Sequence, residues 1–161
     1  MRYVTAMFLG LAVALSGGCY RSTLEPADAT FLKPRLGYVP HDYGSIRRLP
    51  MRGPEVTDED MTLVARCELL DTLDLRGASV TDAGLSRLPR GVPNRVILLS
   101  DTAVTSEGVM RLLERHRSLE LIALERTSVD ADTIEKIKQR GVSLCVAKTG
   151  ADGKPYMLIQ D

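Results

Sequence analysis

Tryptophan is absent from this chain of 161 residues, and aromatic residues make up only 4% of it. The chain therefore lacks the aromatic platform on which single-stranded nucleic acids stack, and it has few of the side chains that dominate protein-binding hot spots. Neither sign of charge is in excess, because 21 Lys and Arg balance 21 Asp and Glu. Without a basic face to neutralise phosphates, the chain is not expected to bind nucleic acid.

Motifs of catalysis and of cofactor binding are also missing. The sequence has no G-x-S-x-G elbow, P-loop or dinucleotide fingerprint, and no nucleophile is paired with a base. His41 and His116 have no second ligand three or four residues away, which argues against a zinc site, and we expect both to be solvated. The acidic residues between Glu55 and Asp60 lack the alternating oxygens and the glycine of a calcium loop. We expect a non-enzymatic protein without metal or cofactor.

Long hydrophobic runs are confined to the amino terminus. A short positive start precedes an apolar stretch over residues 4–15, and small residues then lead to Cys19. This pattern is typical of a secretory signal over residues 1–18 and is too short for a comfortable membrane span. Because Cys19 follows two glycines, the segment resembles a bacterial lipoprotein signal, which implies diacylation of Cys19 and attachment to a membrane. A plain secreted protein and an uncleaved anchor remain alternatives.

The centre of the chain repeats itself. Leu73 and Leu75 flank Asp74 in the alternation of a half-buried strand, and Thr81 then opens a short helix. Shifts of 24 or 25 residues bring four such units into one register. The core positions are apolar in every unit: the strand pairs are Leu49/Met51, Leu73/Leu75, Ile97/Leu99 and Ile122/Leu124, and the helix pairs are Met61/Val64, Leu85/Leu88, Val109/Leu112 and Ile134/Ile137.

Each helix of the repeat is predicted to begin with a residue that can accept a hydrogen bond from the first free N–H groups. A carboxylate follows within the first turn, where it suits the positive end of the helix dipole. The capping residues are Thr57, Thr81, Thr105 and Asp130, and the carboxylates are Asp58, Asp82, Glu107 and Asp132.

The best-formed unit carries LxxLxL at Leu70, Leu73 and Leu75, and VTDAGL at residues 80–85. Over roughly residues 46–146 the chain resembles the leucine-rich repeat family, in particular the short VTDxGL-type repeats related to the ribonuclease-inhibitor-like and cysteine-containing subfamilies. The resemblance implies an α/β fold, a short leucine-rich-repeat solenoid of about four β-helix units with a parallel sheet. In that family, Asn, Cys or Thr usually holds the turn by a buried hydrogen bond. The corresponding positions here are Pro54, Ala78, Thr102 and Thr127, so only the last two can make this bond.

Two cysteines follow Cys19. About three strand spacings separate Cys67 from Cys145, roughly 14 Å in all, which exceeds the reach of a disulfide, so we predict that they are unpaired. Cys67 takes a place where cysteine-containing repeats often bury one. Cys145 alternates out of phase with Leu144 and Val146 and is predicted to face the exposed side of the sheet.

Segments of different character flank the repeat domain, residues 46–147. Residues 19–45 contain three prolines and no sustained period, which predicts an extended, lipid-anchored tether. Their apolar residues leave a second interpretation open, in which the segment folds back and caps the first repeat. Pro50 places the first strand at an edge of the sheet. In residues 148–161 an Asp-Gly signal at Asp152 and Gly153 predicts a terminal β-hairpin that pairs with the other edge.

The exposed face of the parallel sheet is the candidate binding site, because repeat arrays use this face for recognition. An apolar patch is expected on it around Leu98, Ala123 and Cys145, either open as an interface or covered by the hairpin or the tether. The candidate face consists of Arg48, Thr72, Asp74, Arg76, Val96, Leu98, Ser100, Leu121, Ala123 and Glu125.

Together these features predict a protein-interaction module displayed on the bacterial cell envelope. Its expected partners are a protein or another envelope component, bound through the sheet face, and the membrane, bound through the lipid on Cys19. The alternative function is that of a structural envelope lipoprotein, a spacer or self-association unit without a specific ligand.

Overall fold

The computed structural model describes residues 24–38, 40–149 and 155–160, in which helices and strands alternate along the chain. Two short 3-10 turns, Tyr43–Ser45 and Asp58–Asp60, accompany the regular elements. In chain order these elements are α1 (Pro26–Leu36), β1 (Arg48–Pro50), α2 (Met61–Val64), β2 (Thr72–Asp74), α3 (Asp82–Arg87), β3 (Val96–Leu98), α4 (Ser106–Arg115), β4 (Leu121–Ala123), α5 (Ala131–Gln139), β5 (Ser143–Thr149) and β6 (Pro155–Gln160).

The six strands form one sheet in the order of the sequence. Strands β1 to β5 are parallel, and β6 is antiparallel to β5. Leu49 is in register with Leu73, and Ile97 with Ile122, so the sequence spacing of 24 or 25 residues is also the spacing of the strands. The fold is mixed α/β, with a five-strand parallel sheet that alternates with helices.

One hydrophobic core collects side chains from the sheet and the helices. The middle residue of each of the first four strands is at most 1% exposed, because a three-residue strand points its centre to one side and its ends to the other. The helices supply the apolar positions predicted from the sequence, among which Ile134 is the one that is only partly buried. Full burial of an aliphatic side chain contributes about 1.5–3 kcal/mol, so this core is the main stabilising feature of the units.

The helix caps lie where the sequence predicts them. The N–H of Thr57 donates to the Asp60 carboxylate at 2.8 Å, which forms a capping box at the first unit. In the later units the capping side chain accepts a backbone N–H, at 3.1 Å for Thr81, 3.5 Å for Thr105 and 2.8 Å for Asp130.

Two of the first-turn carboxylates also join neighbouring units. The backbone N–H and the hydroxyl of Thr81 donate to Asp58 of the preceding unit, at 2.8 and 2.7 Å. Thr105 donates in the same way to Asp82, at 2.9 and 2.6 Å. Each threonine therefore caps its own helix while it binds the helix start of the unit before it.

The turns after β3 and β4 are held by the two threonines expected to do so. The hydroxyl of Thr102 donates to the carbonyl of Leu99 at 2.6 Å, and that of Thr127 donates to the carbonyl of Leu124 at 2.7 Å. The equivalent Pro54 and Ala78 have no side-chain donor, so the first two turns lack this bond.

Helix α1 packs against β1 and covers the first unit. Leu32 is 0% exposed and belongs to the core, together with Tyr43 at 2%. The prediction of an extended tether is therefore wrong for the described residues before β1, which agree with the capping alternative. Pro26 was misleading because it stands in the first turn of α1, where a missing N–H costs nothing, and α1 also contains Pro34 close to its end.

The carboxyl-terminal pairing agrees with the predicted hairpin. Strands β5 and β6 pair from Leu144 with Gln160 to Thr149 with Pro155, so β5 begins upstream of the predicted boundary at residue 148. The predicted turn at Asp152 and Gly153 lies outside the described residues. Strand β1 forms the opposite edge of the sheet, as Pro50 indicated.

The predicted signal over residues 1–18 and the predicted lipid site at Cys19 also lie outside the described residues. Within residues 24–38, 40–149 and 155–160, no helix combines the length and the apolar character needed to cross a membrane.

Candidate binding face of the sheet

The strand register arranges the predicted face residues in rows across the sheet. The first row is Arg48, Thr72, Val96 and Leu121, and the second is Pro50, Asp74, Leu98 and Ala123. These residues flank the buried centre of each strand, so their side chains lie on the face opposite the core. A third row, Arg76, Ser100 and Glu125, follows two residues later along the chain.

Only part of this face is accessible. Asp74, Leu98, Ser100 and Ala123 are between 1% and 7% exposed. The residues that a partner can reach are the exposed Arg48 and the half-buried Thr72, Arg76, Val96, Leu121 and Glu125.

The predicted apolar patch forms a cluster, but its centre is not open. Leu98, Ala123 and Cys145 are buried together, and the partly exposed Val96 and Leu121 pack against them. The expectation that Cys145 faces an exposed surface is thus wrong, since its neighbours on the face leave it 3% exposed. The predicted alternative that the hairpin covers the patch depends on side chains of β6, which lie outside the described part of the structure.

Asp74 binds two arginines on this face. Arg52 Nε donates to its Oδ2 at 2.6 Å, while Arg76 Nε and Nη2 donate to its two carboxylate oxygens, both at 2.9 Å. Burial acts to raise the pKa of Asp74, but the hydrogen bonds and charges of Arg76 and Arg52 hold it below its ordinary value of 3.8. The fixed fork of each guanidinium makes this a rigid polar cluster.

Two further arginine–carboxylate pairs connect the units of β3 and β4. Arg95 Nη2 lies 2.7 Å from Glu120 Oε2, and Arg126 pairs with Asp101. The hydrogen bonds of the arginines lower the pKa of both Glu120 and Asp101. Because these pairs are largely solvent-exposed, they define the charge pattern of the surface more than they stabilise the fold.

Ser100 lies between Arg76 and Glu125 in the third row. Its Oγ is buried and has no hydrogen-bond partner among the described residues. A buried hydroxyl without a partner costs about 1–3 kcal/mol, so this position is a polar group that the fold itself does not satisfy.

The two described thiols are not activated. Burial raises the pKa of Cys67 to about 12, and burial together with the charge of Glu125 raises that of Cys145. Cys67 is buried and unpaired as predicted, and Cys145 is also unpaired. Since the thiolate is the reactive form, neither environment favours it.

His116 differs from its predicted state as a solvated residue. It lies directly after α4, is 1% exposed, and neither ring nitrogen has a hydrogen bond of normal geometry. Burial and the charge of Arg115 lower its pKa to about 4, against a smaller opposite effect of the Pro93 carbonyl. His41 is exposed, as predicted. The described residues contain no group of His, Cys, Asp and Glu that could hold a metal ion.

Comparison with known proteins gives a fold and no family. No family model and no curated protein matches the chain. Among solved structures, a chain from the structure of Chaetomium Mex67:Mtr2 subunits is similar, with a TM-score of 0.50 and 16% sequence identity, over 73% of this chain and 87% of that chain. At this identity the likeness concerns the α/β fold alone.

Proposed function

We propose that this chain is a leucine-rich-repeat module that binds a protein or another envelope component through the open part of its sheet face. The repeat register supports the solenoid interpretation, because each shift of 24 or 25 residues adds one parallel strand beside the last. The bonds of Thr81 and Thr105 to the preceding unit support it further. Arrays of this kind use the extended sheet face for recognition.

The observation that carries the proposal is the composition of the accessible face. Charged side chains lie on both sides of it, with Arg48 and Arg76 toward the first units and Glu125 toward the last. The half-buried Val96 and Leu121 lie between them and pack on the apolar cluster. A partner that fits this face has an apolar centre with an acidic side and a basic side, which favours a protein segment over a sugar or a small ion.

A charge reversal on the face tests this proposal. Glu125→Arg places a cation at the edge of the accessible surface, and Glu135→Arg makes the same change on the exposed side of α5 in the same unit. Crosslinking and capture from intact envelopes is expected to recover a stoichiometric partner with the wild type and Glu135→Arg but not with Glu125→Arg. Equal capture by all three chains, or capture of the chain itself alone, contradicts recognition through this face and leaves the spacer function.

We further propose that Cys19 carries the lipid that displays the module on the envelope. The support is the sequence alone: a positive start, an apolar stretch and a cysteine after two glycines. Metabolic labelling with a fatty acid should mark the wild type and not Cys19→Ser. Label that persists in Cys19→Ser, or its absence from the wild type, contradicts lipidation at this position.

A further inference from the structure

Two large apolar side chains stand out from the described surface. Tyr38 is 53% exposed and Leu69 is 45% exposed, and they are the exposed large hydrophobic residues among positions 24–38 and 40–145. Both lie beside Arg47, although 31 positions separate them in the sequence. Arg47 Nη1 donates to the carbonyl of Leu69 at 3.2 Å, and Arg47 and Tyr38 line one groove at the β1 edge.

The same groove is lined by basic side chains. Arg35 and Arg48 complete its walls with Arg47. Arg48 has no side-chain partner among the described residues. Arg47 has, besides its bond to the Leu69 carbonyl, a 3.7 Å contact with the half-buried Asp71. Arg35 pairs with Glu55 at 3.5 Å and stacks on Phe31. The groove thus combines an excess of positive charge with the exposed Tyr38, and the exposed Leu69 follows the carbonyl contact of Arg47 outside its lining.

The distance between this groove and Cys19 indicates which surface the groove can contact. Leu24, where the described chain begins, is five positions after Cys19, a separation that spans at most about 17 Å. Helix α1, with 11 residues, then extends about 16 Å to the groove. A lipid on Cys19 would therefore keep the groove within roughly 35 Å of the membrane.

We propose that the surface formed by Tyr38, Leu69, Arg47 and Arg48 docks the module on an anionic lipid bilayer. The proposal rests on the lipid attachment proposed above for the membrane's proximity, and its chemistry rests on the described residues. Tyrosine favours the interface because its ring is apolar and its hydroxyl stays wet, while arginines bind lipid phosphates. Each basic side chain strengthens binding to an anionic surface. The loss of two of them is expected to reduce the affinity for that surface roughly thirtyfold.

A single-tryptophan reporter tests the docking, since the chain has no tryptophan of its own. The full chain with Tyr38→Trp is incorporated into phosphatidylcholine vesicles, with and without phosphatidylglycerol, whose acyl chains are brominated. Glu135→Trp, on the exposed side of α5 in the fourth unit, is the matched control. The Tyr38→Trp reporter should shift to the blue and be quenched in anionic vesicles only. Adding Arg47→Gln and Arg48→Gln should abolish both effects, and the control should show neither.

The outcomes separate the docking surface from the anchor. Retention on vesicles at high salt that depends on Cys19 reports the anchor, and quenching of the Tyr38→Trp reporter reports docking. Retention without quenching overturns the docking proposal, as does quenching that persists after both arginines are neutralised. Quenching at low salt without retention at high salt supports docking and contradicts the anchor. A blue shift that grows with protein concentration in the absence of vesicles makes this surface a self-association interface and overturns the proposal.

Discussion

Asp74 is a buried, charged residue that connects two units of the repeat. Its carboxylate is buried on the sheet face and bound to arginines of its own unit and of the preceding one. The cluster therefore fixes the orientation of Arg52 and Arg76 at the basic side of the face. Removal of the carboxylate charge leaves two guanidinium groups without their common negative partner.

Asp74→Asn is expected to lower the free energy of unfolding by about 2 kcal/mol at neutral pH, since hydrogen bonds to a charged group are lost. The native pKa of Asp74 is lowered, so this contribution is present above the ordinary value of 3.8 and is lost as the pH falls below it. Urea unfolding at neutral pH and below pH 3.8 measures both effects. Glu120→Gln, which alters a largely exposed pair, should change stability little, and an equal loss in both variants contradicts the role given to Asp74.

His116 should make stability depend on pH in a different range. Its native pKa of about 4 lies below the ordinary 6.5, so the unfolded chain takes up a proton before the folded chain does. Stability should therefore fall as the pH falls from 6.5 toward 4, by about 3 kcal/mol. His116→Phe should flatten this slope in urea unfolding and His41→Phe should not. A slope that survives in His116→Phe assigns it to another group.

The side of the sheet on which Asp74 and Cys145 lie could be predicted, but their burial could not. Alternation along the strand places Asp74 and Cys145 opposite the core, as observed. It contains no information on what lies beside them across the strands, so the packing of Cys145 against Leu98 and Ala123 was missed. The position of His116 at a helix end predicts a solvated residue, and its burial depends on contacts that the local pattern does not encode.

Among the elements, the short helices of the repeat show why the motif combines aspartate, threonine and glycine. A Cβ added at Gly84 would overlap the Asp58 carboxylate, and one added at Gly108 would overlap that of Asp82. Glycine therefore leaves room for the aspartate of the preceding unit to reach the next threonine. The sequence predicted the caps from residue type, whereas the link between units required knowledge of which helices lie side by side.

This packing predicts a reversal of the usual effect of glycine in a helix. Gly→Ala in a helix interior normally stabilises by about 1 kcal/mol. Here Gly108→Ala should destabilise the chain by about 1–2 kcal/mol, because the new methyl group displaces Asp82 from Thr105. In an Asp82→Ala background the same change should be neutral or stabilising. A double-mutant cycle by thermal or urea unfolding measures the coupling, and additive effects contradict the link.

At the scale of the whole molecule, the described chain is a row of parallel strands with a different cover at each end. Helix α1 covers the first unit, and β6 extends the sheet beyond β5. Hydrophobic periodicity predicted the row because it repeats along the chain, and the hairpin was predicted from the Asp-Gly signal that follows the last strand of the row. The periodicity failed at α1, where Leu32 is buried within a segment that has no sustained period and several prolines.

Recognition through the open sheet face is the central claim, and site-specific photocrosslinking tests it most directly. A benzophenone amino acid is placed in turn at the face positions Thr72, Val96 and Leu121 and at the exposed helix positions Glu107 and Glu135, and the envelopes are irradiated. We expect one adduct of constant mass from the face positions and none from the helix positions. Adducts from the helices alone, or none from any position on the face, would show that this surface does not bind a partner.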